Sequence, residues 1–140
     1  MKRQAIITVS AKTRYEGEES EKTVYTVGGT LEDTPDGWRV TYAEPEEAGM
    51  AGTETQMDIL SGRVELTRAG AVRARFVFAP DRPFHSVYET PYGNLNAAVY
   101  TRSLRVRFGD RGGLLELKYE LELGGTKSAH DLILRARAAE

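Results

Sequence analysis

Acid–base, nucleophilic and metal chemistry all draw on a short list of residue types, and this chain of 140 residues holds few of them in useful patterns. It has no cysteine, which excludes a thiolate nucleophile, a thiolate zinc site, an iron–sulfur cluster and a disulfide scaffold. Its two histidines are His85 and His130. His85 and Glu89 are four apart, a chelating distance on a helix, but on a straight strand they would stand about 13 Å apart at 3.3 Å per residue. His130 and Asp131 are adjacent, so a strand turns them to opposite faces. No phosphate-binding loop, G-x-S-x-G elbow or H-E-x-x-H motif is present. Glu44, Glu46 and Glu47 cluster beside a glycine-rich loop. Paired carboxylates do acid–base work when their surroundings split their pKa values, but in a polar loop they read as a solvated acidic rim. On these grounds no catalytic residue, metal site or cofactor is expected.

One stretch is richer. Arg82-Pro83-Phe84-His85-Ser86-Val87-Tyr88-Glu89-Thr90-Pro91-Tyr92-Gly93-Asn94-Leu95, followed by Tyr100-Thr101-Arg102, gathers Tyr, His, Thr and Arg where the surrounding pattern breaks down. Thr90-Pro91-Tyr92-Gly93 reads as a fixed turn, with proline setting φ and glycine allowing an unusual backbone. Amphipathic rings beside a few fixed polar groups suit a small pocket at the mouth of a barrel. The residues expected to set its polarity are Arg68, His85, Tyr88, Tyr92, Tyr100 and Arg102. The same residues also suit a structural corner whose tyrosines cap a barrel.

The elements that must position them follow a period of two. Leu115-Glu116-Leu117-Lys118-Tyr119-Glu120-Leu121-Glu122-Leu123 alternates apolar and charged residues without error, the mark of a strand with one buried and one wet face. Similar alternation runs through Trp38, Val40 and Tyr42, through Val64 and Leu66, through Val72, Ala74, Phe76 and Phe78, and through Leu104, Val106 and Phe108. Turn signals separate these runs, from Pro35-Asp36-Gly37 to Gly124-Gly125. About ten short strands in one domain, residues 1–140, are the signature of an antiparallel sandwich or barrel. The one helical piece is a single turn at Pro45-Glu46-Glu47-Ala48-Gly49, and Gly28-Gly29 inside a strand-like run signals a bulge or sharp bend.

The C-terminal third allows a register. If Gly124-Gly125 forms a two-residue hairpin turn, residues whose numbers sum to 249 lie opposite each other. Glu122 then meets Lys127, Lys118 meets Asp131, Leu117 meets Leu132 and Leu115 meets Leu134. The expected interior is Ile7, Val9, Val27, Trp38, Val40, Tyr42, Val64, Leu66, Val72, Phe76, Phe78, Leu104, Val106, Phe108, Leu115, Leu117, Tyr119, Leu121, Leu132 and Leu134.

The formal charge is only −2, so no global field draws the chain to nucleic acid or membrane. Residues 16–58 carry twelve acidic and two basic groups, whereas residues 63–111 carry nine arginines against four acids. Arginine strands beside glutamate strands would neutralise one another; alternatively, the polarised faces could serve protein partners. Nucleic-acid binding is not expected, because Phe76, Phe78 and Phe108 lie on the face opposite the arginines instead of among them. The apolar run after Met1-Lys2-Arg3 is cut by Thr8 and Ser10, short of the roughly 7–15 residues of a signal peptide or the about 20 of a spanning helix. The expectation is a cytoplasmic protein with no membrane partner.

Several segments carry a likeness: Glu46-Glu47-Ala48-Gly49-Met50-Ala51-Gly52-Thr53-Glu54-Thr55, then Leu66-Thr67-Arg68-Ala69-Gly70-Ala71-Val72, then Tyr88-Glu89-Thr90-Pro91-Tyr92-Gly93, Tyr100-Thr101-Arg102 and the Leu115–Leu121 strand. Together they resemble the bacterial YwiB-like family, a domain of unknown function. The resemblance implies a single closed antiparallel calycin-like (lipocalin-like) β-barrel, here of 8–10 strands, and brings no activity with it. The leading expectation is a non-enzymatic domain that takes a small-molecule ligand at the barrel mouth. The alternative is a protein-interaction module using the charged faces. An enzyme on the same residues would need His85 within hydrogen-bond reach of a carboxylate or hydroxyl in a cleft.

Overall fold

The computed structural model describes residues 1–139. Alternation at a period of two produces ten strands: β1 (Lys2–Tyr15), β2 (Glu21–Thr34), β3 (Gly37–Ala43), β4 (Thr53–Leu60), β5 (Arg63–Gly70), β6 (Ala74–Phe78), β7 (Phe84–Thr90), β8 (Gly93–Gly109), β9 (Gly112–Leu123) and β10 (Thr126–Ala138). The helical turn expected at Pro45–Gly49 is a 3-10 turn over Glu46–Ala48, ended by Gly49 at a positive φ of 75°.

Each strand pairs antiparallel with its neighbour in a single sheet ordered β6-β5-β4-β3-β2-β1-β10-β9-β8-β7. The two chain ends meet inside this order, where β1 and β10 pair from Ala5 opposite Ala138 to Tyr15 opposite Ser128. The sheet curls until its edge strands face each other. There β6 and β7 are joined by one bridge, Arg73 with Glu89, whose reciprocal backbone hydrogen bonds are 2.9 and 2.8 Å. The result is an almost closed barrel that leaves its edge strands little room to recruit another chain.

The C-terminal hairpin has the expected register: Glu122 faces Lys127, Lys118 faces Asp131, Leu117 faces Leu132 and Leu115 faces Leu134. Gly124 and Gly125 both take positive φ, 56° and 89°, as a tight turn matched to strand twist demands. One local expectation needs correction. Gly28-Gly29 makes no bulge, since β1 and β2 pair in unbroken register from Lys2–Glu32 to Thr13–Glu21. Gly29 is needed for close approach instead: a Cβ there would stand 2.4 Å from the Thr41 carbonyl oxygen and 2.5 Å from Ile7 Cδ1. The ladder break lies in β8, where Thr101 faces Tyr119 but Ser103 faces Lys118. Arg102 is the extra residue, so the inward series passes from Val99 and Thr101 to Leu104 and Val106.

Inward residues form one core. Ile7, Val40, Val64, Leu115 and Leu134 are completely buried, with Val9, Met57, Ile59, Phe78, Val99 and Leu117 almost so. Of the interior expected from sequence, only Val72 is misplaced, because the chain turns there between β5 and β6. On the outer wall, opposite charges pair: Arg39 Nε lies 2.6 Å from Asp58, Arg75 lies 3.4 Å from Glu65, and Arg102 pairs with Glu120. No helix among the described residues is long and apolar enough to cross a membrane.

Replacing Leu117 by alanine removes a side chain with 1% exposure and leaves a cavity between β8, β9 and β10. The expected cost is about 2–5 kcal/mol. Ile133→Ala, on the outer wall at 40% exposure, should cost well under about 1 kcal/mol. Urea unfolding of the two variants measures the difference.

Candidate functional site

The barrel interior is not uniform along its length. One end carries the β1–β2, β3–β4, β5–β6, β7–β8 and β9–β10 connections. Toward that end the inward positions change from apolar to polar: Thr13 on β1, Tyr25 on β2, Tyr42 and Glu44 at the end of β3, Thr55 on β4, Arg68 on β5, Tyr88 on β7, Thr101 on β8, Tyr119 on β9, and Ser128 and His130 on β10. The alternation that builds the core continues into this tier. Glu44 follows Trp38, Val40 and Tyr42 in the inward series, and Arg68 follows Val64 and Leu66.

Glu44 anchors the tier. Its backbone N–H donates to the Thr53 carbonyl at 2.8 Å, which holds the residue at the end of β3. Its side chain is completely buried. The Tyr25 hydroxyl donates to Oε1 at 3.0 Å and the Thr55 hydroxyl donates to Oε2. Arg68 Nε lies 3.8 Å from Oε2, close enough to balance the charge but beyond a hydrogen bond. Burial and the neighbouring Glu44 charge push the Tyr42 hydroxyl up to about 12, and burial drives Tyr25 far above the ordinary tyrosine range. Both phenols therefore stay neutral donors at physiological pH.

Across the barrel His130 stacks on Tyr119, with ring centroids 4.7 Å apart and planes 6° apart. Ser128 Oγ lies 2.7 Å from Nε2 and Thr13 Oγ1 lies 3.2 Å from Nδ1. Burial and then the Arg68 charge lower the His130 pKa to about 4, against a small opposing effect of Asp131. The imidazole is thus neutral, held between two hydroxyls with no carboxylate on either nitrogen. That arrangement differs from a nucleophile–histidine–carboxylate relay. Burial raises Tyr119, while the Arg68 charge works against it.

Arg68 sits at the centre of these influences, its charge acting on Tyr42, Tyr119 and His130. Its side chain is 19% exposed, and Nε is buried without an acceptor. Thr101 Oγ1, opposite Tyr119 in the ladder, is also buried without a partner.

Of the six residues expected at the mouth, the structure brings Arg68 and Tyr88 to the interior, Tyr88 stacked on Phe76 at 6.2 Å. The other four lie outside. His85 is exposed on β7 and shares an outer groove of about 540 Å³ with Tyr100. Among the described residues it has no hydrogen bond or ion pair to a carboxylate or hydroxyl. Tyr92 is fully exposed at its turn, Tyr100 is 42% exposed, and Arg102 is the bulge residue paired with Glu120. The acidic rim expected of Glu44, Glu46 and Glu47 holds only for the last two; Glu44 is interior. No group of three or more His, Asp or Glu among the described residues is placed to hold a metal ion.

Comparison with known proteins adds a family. The family described as "Domain of unknown function (DUF1934)" matches residues 7–133. The chain belongs to this family. Its fold is similar to that in the crystal structure of ywiB protein from Bacillus subtilis, with a TM-score of 0.88 over 99% of this chain and 94% of that one. Identity is only 16%, so the likeness speaks for the DUF1934 barrel and not for its interior chemistry. No curated protein matches the chain.

Two outcomes follow from the polar tier. Glu44→Ala leaves the Tyr25 and Thr55 hydroxyls without their acceptor and Arg68 without its counter-charge; the expected loss is about 3–5 kcal/mol in urea unfolding. The second concerns pH. His130 binds a proton less readily folded than unfolded, so its stabilising effect is complete above its unfolded pKa near 6.5 and is lost as pH falls toward about 4. Between pH 7 and pH 5 the wild type should lose about 2 kcal/mol more than His130→Gln, measured by unfolding at both pH values.

Proposed function

We propose that this DUF1934 barrel binds a small polar molecule in the tier around Arg68, without chemical conversion. The observation that supports this reading is the state of Arg68: a mostly buried guanidinium whose Nε has no acceptor and whose one close counter-charge stands at 3.8 Å. A buried donor left unpaired costs about 1–3 kcal/mol, more for a charged group, and a ligand oxygen recovers that cost. Glu44 already balances the arginine charge. The tier therefore favours an uncharged carbonyl or amide oxygen over a free anion. Tyr88, stacked on Phe76, and the stacked pair of Tyr119 and His130 make the surroundings of Arg68 aromatic, which suits a molecule with a flat apolar part. A neutral imidazole without a carboxylate partner favours binding over catalysis.

Native mass spectrometry of protein purified from its producing cells, together with NMR titration by benzamide, tests the proposal. A retained small molecule, or saturable benzamide shifts at Tyr88, Tyr119 and His130, is the expected result. Arg68→Met, which keeps the aliphatic stem, should weaken the interaction about 10- to 100-fold. A bare chain mass together with no benzamide shift at these rings would overturn the reading, as would binding indifferent to Arg68→Met.

A further inference from the structure

The opposite end of the barrel has a different character. A cavity of about 470 Å³ opens between the β2–β3 and β4–β5 turns, lined by Trp38, Ile59, Leu60, Leu104 and Val106, with Asp36 as its one charged wall residue. That volume lies within the roughly 300–1,000 Å³ of small-molecule pockets. Trp38 is the single tryptophan of the chain, and its indole packs against Phe108 with ring centroids 6.4 Å apart. Its Nε1 is buried with no acceptor. Indole N–H groups buried in proteins ordinarily find a partner, and Trp38 is inward by the same alternation that packs Val40 and Tyr42. The ring that lines this cavity thus carries an unpaired donor, among the apolar side chains of Ile59, Leu60, Pro80, Leu104 and Val106, with Ser61 and Asp36 as the polar part of the wall.

From these observations we infer that the Trp38 end is a second binding site, for an uncharged amphiphile with an apolar body and one hydrogen-bond acceptor. The apolar wall takes the body, the indole N–H takes the acceptor after a slight tilt of the ring, and Asp36 disfavours an anionic head. The site is independent of Arg68, which lies at the other end of the barrel.

The single tryptophan makes the test direct, because the ¹⁵N-labelled protein shows one indole N–H resonance. Titration with 1-octanol should move that resonance downfield and saturably, with accompanying shifts at Ile59, Leu60, Leu104 and Val106. Octanoate should bind this end at least about tenfold more weakly, because its carboxylate meets Asp36 and loses hydration. Val106→Phe, which fills the cavity, should abolish the octanol shifts, and Arg68→Met should leave them unchanged. The wild-type shift map decides the matter if Val106→Phe does not fold. An indole resonance that does not move, equal affinity for octanoate at this end, or octanol shifts centred on Tyr119 and His130 would overturn the inference. Loss of benzamide binding with retention of the octanol shifts would remove only the Arg68 reading.

Discussion

Every strand of this barrel sends alternate side chains into a volume that the wall almost encloses, and that constraint governs the rest of the molecule. Most positions on the inner face are filled by packing or by a hydrogen-bonded polar group, since water has little access to correct an error; Trp38 Nε1, Arg68 Nε and Thr101 Oγ1 are exceptions. A slip of one residue would exchange the whole inner series of a strand for its outer one. The long β1–β10 ladder closes the wall where the two ends of the chain meet, and the β8 bulge at Arg102 restores the inner series where the ladder breaks. The remaining gap is confined to β6 and β7, bridged at Arg73 and Glu89.

The wall was readable because its signals are local and redundant. Strict alternation from Leu115 to Leu123 and the paired glycines together specify the final hairpin, so the strand faces and the register follow from one assumption. The same arithmetic extends to His130 opposite the inward Tyr119, and continuing the β3 series by two residues would put Glu44 inside, as the structure has them. Both inferences were within reach but are masked by residue type: a glutamate in a loop with other acids looks solvated, and a histidine beside an aspartate looks exposed. Val72 failed for the opposite reason, as an apolar residue that continues an alternation the backbone has already left for a turn. The mouth residues resist sequence reading because side-chain direction near a turn depends on where the bulge falls. Tyr100 and Arg102 share one parity in sequence, and the chain offers no signal that the extra residue is Arg102. The pairing of Arg68 with Glu44 is long-range in the chain and emerges only from the β3–β4–β5 ladders.

Energetically the two halves of the interior pull in different directions. The apolar half gains stability with each methylene it buries. The polar half gains little by comparison, because a buried ion pair repays its desolvation only when geometry is good and the other lone pairs and protons are satisfied. Glu44 meets that condition through Tyr25 and Thr55, and Arg68 does not. Leucine-like residues at positions 44 and 68 would fill the same space at lower cost. A local departure from the rules of core packing, surrounded by neighbours that otherwise obey them, is where binding or chemistry is expected to reside.

The position of that departure also shapes what the barrel can be. Val9, Val40, Met57, Leu66, Phe78, Leu117 and Leu134, each at most 3% exposed, occupy the middle of the interior between the Arg68 tier and the Trp38 end. A layer packed this tightly is a septum and not a passage. The Arg68 end is lined by tyrosines and hydroxyls and the Trp38 end mainly by aliphatic walls, and the packed layer separates the two. The two ends can therefore differ in polarity without compromise, since each is built from its own set of strand termini. The wall they share holds both ends rigid, and the opposite charges of Glu44 and Arg68 stand close enough to offset each other within one end.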